Sequence, residues 1–231
     1  MLVYLFCVGC CFFSFLNVVI DRSQQSLPFI FSRSQCEYCH HPLSLLDMIP
    51  ILSQLFYHSR CRYCHQHYSW NYLIVEVIGG LSFLYLYNHH DAYSLWWFYY
   101  GIYYFELSLS DWKYYNIICS HWFMNSALWI AIGLWLLHYS FHWLAALAFL
   151  LIMTLIHPLI KNQMGYGDIL LFSTIILPFG IIPSLSILLI ACITAIIFFI
   201  IRYYQTSLNI PIPFIPFMSI AILIYHLPLL L

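Results

Sequence analysis

Residues 142–160 read HWLAALAFLLIMTLIHPLI, a stretch with no Asp, Glu, Lys or Arg. A helix needs about 20 such residues to cross the hydrocarbon core of a bilayer, so this stretch sets the expected solvent. Working outward, further apolar stretches occupy 1–20, 71–88, 93–110, 118–138, 169–183, 184–201 and 211–231. The count is about eight spans, or six or seven if Pro178, Pro183, Pro211, Pro213 and Pro216 break or shorten the last ones. The whole chain agrees: 64% of residues are hydrophobic and 6% charged, and mean hydropathy is +0.86. So few ionic side chains cannot coat a water-facing surface. The expected fold is all-α, a polytopic integral membrane helical bundle whose surroundings are the lipid bilayer. A formal net charge of −1 offers no footprint for nucleic acid.

Orientation follows from the seven basic residues, because cytoplasmic loops retain Lys and Arg. With residue 1 outside, Arg22, Arg33, Arg60 and Arg62 fall in the first inner loop, Lys113 and Lys161 in the next two, and Arg202 in the last. The outer loops then hold none. The first stretch lacks a basic start, and Asp21-Arg22 follows it in place of a small-residue cleavage site, so it reads as a retained helix. The division expected is a first helix over 1–20, a cytoplasmic cysteine loop over 21–70 and a multi-span core over 71–231.

The 21–70 segment is the extended polar stretch, and it carries Cys36-Glu37-Tyr38-Cys39 and Cys61-Arg62-Tyr63-Cys64. Each CxxC knuckle aims two thiolates at one point, and two knuckles complete the tetrahedral sulfur shell of a closed structural Zn²⁺ site. Two disulfides, a redox pair or an iron–sulfur cluster are the alternatives, and the reducing compartment argues against the disulfides. His40, His41, His65 and His67 flank the knuckles and read as solvated loop residues. Cys7, Cys10, Cys11, Cys119 and Cys192 lie in apolar stretches, where a thiol packs as a small hydrophobe.

Two carboxylates stand at the edges of apolar stretches. Asp111 opens the polar break Asp111-Trp112-Lys113-Tyr114-Tyr115-Asn116, and Asp168 ends Gly165-Tyr166-Gly167-Asp168 after Lys161 and Asn162. Gly165 and Gly167 would let backbone approach closely, with Asp168 at a helix N-terminus. Both aspartates are placed at the cytoplasmic face on different helices. Two close carboxylates share one proton, so one can deprotonate a water while the other polarises a carbonyl. The bland reading is that each caps a helix. Glu76 and Glu106, in or near spans, could pair with polar groups inside the bundle. Trp96, Trp97, Tyr99 and Tyr100 read as interfacial belts.

Taken together, these motifs resemble the type IV prepilin leader peptidase family, bacterial membrane aspartic proteases. The likeness is carried in order by Ser14-Phe15-Leu16-Asn17-Val18-Val19-Ile20-Asp21-Arg22, Arg33-Ser34-Gln35-Cys36-Glu37-Tyr38-Cys39, Asp47-Met48-Ile49-Pro50, Cys61-Arg62-Tyr63-Cys64, Glu76, Ser110-Asp111-Trp112-Lys113 and Gly165-Tyr166-Gly167-Asp168. Phe13 replaces the glycine that commonly precedes Ser14, and Ile117-Ile118 stands where the family has Ile-Pro. The resemblance implies catalytic Asp111 and Asp168, metal ligands Cys36, Cys39, Cys61 and Cys64, and a place in the bacterial cytoplasmic membrane. It implies as substrate a type IV prepilin, or a pseudopilin of secretion or competence systems, cut after a glycine behind a short basic leader. Many members also methylate the new N-terminus with S-adenosylmethionine, although the chain has no glycine-rich nucleotide fingerprint. The competing class is a non-enzymatic zinc-binding transporter or assembly scaffold; it would place carboxylates near the bilayer midplane, away from the inner boundary. No HExxH pair points to a metalloprotease.

Overall fold

The computed structural model describes residues 1–28, 33–89, 91–160, 165–203 and 212–230; Lys161, Asn162 and Pro211 lie outside that set, as does the Cys119 side chain. Among the described residues the chain forms α1 (Leu2–Gln24), α2 (Leu52–Phe56), α3 (Asn71–Asn88), α4 (Ala92–Tyr114), α5 (Cys119–Leu136), α6 (Trp143–Ile160), α7 (Tyr166–Phe179), α8 (Ile181–Tyr203) and α9 (Ile215–Leu230), with no strand. Every apolar stretch of the sequence is a helix, and only α2 had no apolar signature.

The boundaries depart in several places, and α4 runs a turn past residue 110 through Asp111 to Tyr114. α1 runs a turn past residue 20 into the polar segment. The break between α7 and α8 falls at Gly180 and not at Pro183, because Gly180 adopts φ 78°, which a side chain would resist. Pro183 lies in the first turn of α8, where its missing amide costs little. α1 and the Ile181–Arg202 part of α8 are long and apolar enough to cross a membrane. α7, with 14 residues, is shorter than a bilayer core requires. Large apolar side chains line the outside of α6 at helical spacing, from Leu144 (86% exposed) through Leu147, Leu151 and Leu155 to Leu159 (86%). α8 shows the same row at Ile182, Leu185, Leu189, Ile193, Ile196 and Ile200.

The helices form two compact units, Met1–Leu95 and Trp96–Leu231. In the first, α1 packs along α3 at a glycine seam: a methyl at Gly79 would stand 2.5 Å from the Phe13 Cβ, and one at Gly9 would strike the Gly79 carbonyl. Buried Glu76 of α3 collects three donors beside this seam, the Ser14 hydroxyl of α1 (2.9 Å), the Ile51 amide (2.7 Å) and the Gln54 side-chain amide of α2 (2.9 Å). Ile51 is held at φ 63°, ψ −55°, while the Leu52 amide reaches the Pro50 carbonyl at 2.6 Å. That is a γ-turn of the strained hand, costly for a β-branched residue, and the Glu76 carboxylate holds its central amide.

In the second unit, α4 presents Trp96, Trp97, Tyr100, Tyr103 and Tyr104 to the interior. The belt expectation therefore fails for Trp96, Trp97 and Tyr100, which are 2–8% exposed. Their rings fill the space between helices: Trp96 stacks on Trp129 of α5 at 4.5 Å and donates to the Trp129 carbonyl at 2.9 Å. Tyr99 instead donates to Asn125 of α5 at 2.8 Å.

Candidate active site and metal centre

The placement of Asp111 and Asp168 begins with tyrosine hydroxyls. Tyr104 of α4 donates to the Leu171 carbonyl of α7 at 3.0 Å and meets the Thr174 hydroxyl at 2.7 Å; Tyr100 reaches the Thr174 carbonyl at 3.3 Å. Buried hydroxyls demand such partners, so these bonds set how α4 lies on α7. Asp111 stands seven residues beyond Tyr104, and Asp168 three before Leu171. Those spacings keep each carboxylate on the face of its helix that carries the contact.

α9 closes the arrangement. Ser219 of α9 and Ser108 of α4 touch through their hydroxyls, and both donate to the Tyr104 carbonyl, at 3.2 Å and 2.7 Å. Four residues before Ser219, the Ile215 amide donates to Asp111 Oδ2 at 3.1 Å, and the Phe214 amide also bonds this carboxylate. Pro213 and Pro216 carry no amide hydrogen, which leaves Phe214 and Ile215 as the donors at this end of the helix.

Asp168 is the third residue of α7 and bonds back to the Gly165 amide, while its own amide donates to the Gly165 carbonyl at 3.2 Å. This reciprocal pair is the carboxylate version of a capping box. Gly167 packs against Ile117, whose Cδ1 would lie 2.9 Å from a Cβ placed there and is the movable end of its side chain. Gly165 has ordinary extended backbone, φ −70° and ψ 146°.

Both aspartates stand just beyond the apolar segments 93–110 and 169–183. Burial, and then the negative charge of Asp111, push the Asp168 carboxyl up to about 6, with the Gly165 amide opposing. Burial also raises Asp111, but the Ile215 and Phe214 amides work against it. The charge of Asp111 thus bears on Asp168 at one end of the second unit.

In the first unit the sulfurs of Cys36, Cys39, Cys61 and Cys64 lie within 4.8 Å of one another, with Cys36 and Cys64 3.8 Å apart. A tetrahedral Zn²⁺ with bonds of about 2.3 Å needs sulfur separations of about 3.8 Å, so the four thiols fit a closed zinc site. All four are free thiols. Their loops repeat one hydrogen-bond pattern 25 residues apart: the Leu43 amide to the Ser34 carbonyl, Cys36 to His41 and His40 to Cys36 recur as Tyr68 to Ser59, Cys61 to Gln66 and His65 to Cys61. Bridges Gln35–Pro42 and Arg60–His67 repeat likewise. The knuckles meet where the His41 and Tyr63 rings approach to 3.7 Å. His40 and His65 occupy matching left-handed positions, φ 54° and 58°. His40, His41, His65 and His67 are all exposed, as expected of solvated loop residues, and the metal-competent group is the four cysteines.

Residues 7–90 match the family model of the bacterial peptidase A24 N-terminal domain. Over this stretch the chain is similar to the type IV prepilin peptidase family. A prepilin leader peptidase/N-methyltransferase of Myxococcus xanthus (strain DK1622) is 43% identical over 81 residues, which is 35% of this chain and 24% of that protein. The matched stretch therefore spans about a quarter of the relative's length. No solved structure matches the chain. The family match holds Ser14, Glu76 and the four cysteines; Asp111 and Asp168 lie beyond it.

Several site residues carried no signal when the sequence was read alone. Phe214 and Ile215 are hydrophobic by type and act through their amides. Glu106 differs from these, since the sequence marked it as able to pair with polar groups inside the bundle, and it meets the His121 ring at 2.9 Å and Asn125 at 3.3 Å. The knuckle repeat was legible, as Ser34-Gln35-Cys36-Glu37-Tyr38-Cys39-His40 against Ser59-Arg60-Cys61-Arg62-Tyr63-Cys64-His65.

Proposed function

We propose that the chain is a membrane-embedded aspartic endopeptidase that removes the short basic leader of type IV prepilins or pseudopilins at the cytoplasmic face of the bacterial membrane. The observation that carries this reading is the electrostatic pairing of Asp111 with Asp168 in a chain whose 7–90 segment is of prepilin peptidase type. The unpartnered apolar rows on α6 and α8 support the bilayer as surroundings, since water-facing helices do not carry such rows. In the reaction, a water held between the carboxyls attacks the scissile carbonyl carbon. One aspartate takes the water proton while the other gives its proton to the carbonyl oxygen. As the intermediate collapses, the C–N bond breaks, the first aspartate's proton passes to the leaving nitrogen, and the second recovers its own from the intermediate.

The cysteine cluster would hold Zn²⁺ through Cys36, Cys39, Cys61 and Cys64, and the metal would supply cross-linking between the two knuckles. N-methylation of the new N-terminus with S-adenosylmethionine is a second activity, favoured because the family match falls on the cysteine-bearing part of the chain. Membranes containing the chain, incubated with a prepilin carrying its leader, should yield a product that begins immediately after the leader glycine, as read by intact mass. An uncut substrate would overturn the peptidase reading.

A further inference from the structure

Two aspartates that share a proton are not equivalent when their surroundings differ, and here they differ in kind. Asp111 faces the start of a helix it does not belong to. The Ile215 amide, at 3.1 Å, and the Phe214 amide both end on its carboxylate, at the positive end of the 16-residue α9. Asp168 receives one amide, that of Gly165, from its own helix start, and it faces the charge of Asp111. Two charge-seeking donors favour an ionised acceptor; a neighbouring negative charge favours a neutral one.

We propose that the first turn of α9 fixes the division of labour in the pair: the Phe214 and Ile215 amides hold Asp111 as the carboxylate that takes the proton from water, leaving Asp168 as the acid that protonates the carbonyl oxygen. Phe214 and Ile215 are positioning residues acting through their backbone. Pro213 and Pro216 sharpen the device, because they remove neighbouring amides and leave these two to converge on one carboxylate. Among the described residues, charged and titratable groups on these elements and on those packed against them include Lys113, two residues along α4, Glu106, paired with His121, His157 in the last turn of α6, whose ring lies 5.5 Å from that of Tyr166, and Arg202 in the last turn of α8. This assignment rests on the peptidase reading only for its catalytic consequence; the protonation order is a property of the folded chain.

Two measurements test it. Ile215→Pro removes one donor at the first position of α9, where proline suits a helix. The acid limb of the pH–rate profile of prepilin cleavage should move up by about 1–2 pH units, with kcat falling and KM little changed, as expected for loss of a hydrogen bond to a charged group. An unmoved limb in a folded Ile215→Pro protein would overturn the proposal. The second needs no cleavage: infrared spectra of ¹³C-aspartate-labelled full-length chain in vesicles, just below pH 6. Subtracting the Asp168→Asn spectrum should reveal a lost protonated carboxyl band, and subtracting Asp111→Asn a lost carboxylate band. The reverse assignment would overturn the proposal even if the chain cleaves prepilin, and the expected one would sustain it even if cleavage were absent.

Discussion

The Ile215 amide donates to Asp111 Oδ2 across 3.1 Å, joining the last turn of α4 to the first turn of α9. Capping and catalysis are therefore separable at this residue by chemistry. Asp111→Ala strands two amides and should destabilise the protein by about 1 kcal/mol. Asp111→Asn keeps an acceptor oxygen and should leave stability near wild type while abolishing cleavage. Thermal unfolding in detergent, run beside the cleavage assay, checks both.

The buried Asp168 carboxyl gives a pH signature of known sign. Its folded value of about 6 exceeds the ordinary 3.8, so the folded state holds the proton more tightly. Well below pH 3.8 both states are protonated and the site costs nothing. As pH rises from 4 to beyond 6, stability falls. Asp168→Asn should accordingly be more stable than wild type at pH 7.5, with the difference vanishing as pH falls below the unfolded value of 3.8 in denaturant titrations. A variant less stable at pH 7.5 would contradict the burial account.

Metal removal should act locally on the first unit. Chelation, or Cys36→Ser with Cys64→Ser, should abolish zinc content and open the 33–68 region to trypsin at Arg60 and Arg62, since so small a loop has little core of its own. Stoichiometric zinc in the double variant, measured by atomic emission, would sink the four-cysteine assignment.

The left-handed histidines make a constructive prediction. His40→Gly and His65→Gly remove a Cβ from φ 54° and 58° and should each stabilise the zinc-loaded knuckles by roughly 0.5–1 kcal/mol. Slower zinc release to a chelator is the readout. Faster release would show that these exposed side chains contribute more to the knuckles than the backbone strain costs.

At the glycine seam, Gly79→Leu should separate α1 from α3, because the Phe13 Cβ already stands 2.5 Å from where a Cβ would lie. Loss of folded protein, followed by fluorescence-detected gel filtration, is expected. Gly101→Ala, which meets no atom within 4 Å, is the matched control.

Hydrophobic runs made the helices legible, since burial in apolar surroundings is written in side-chain type. The four cysteines were legible for the same reason: metal ligation needs particular atoms at particular spacings. Asp111 and Asp168 could be named from the sequence, but whether they capped helices or faced each other could not. In the structure both accept amides at a helix start, Asp111 at that of α9 and Asp168 at its own, and capping leaves room for a catalytic role. What escaped reading depends on backbone. Nothing in the side chains of Phe214 and Ile215 announces a donor pair, and nothing in Ile51 announces a γ-turn. Trp96, Trp97 and Tyr100 misled because an amphipathic ring serves a helix interface as well as a membrane surface.

The most direct test of the account is cleavage of a leader-bearing prepilin by vesicles containing wild type, Asp111→Asn or Asp168→Asn, with unfolding and zinc content measured on the same preparations. The account predicts a cut by wild type after the leader glycine and none by either variant, with both variants folded and zinc-loaded. Cleavage retained by a folded Asp111→Asn or Asp168→Asn protein would contradict it.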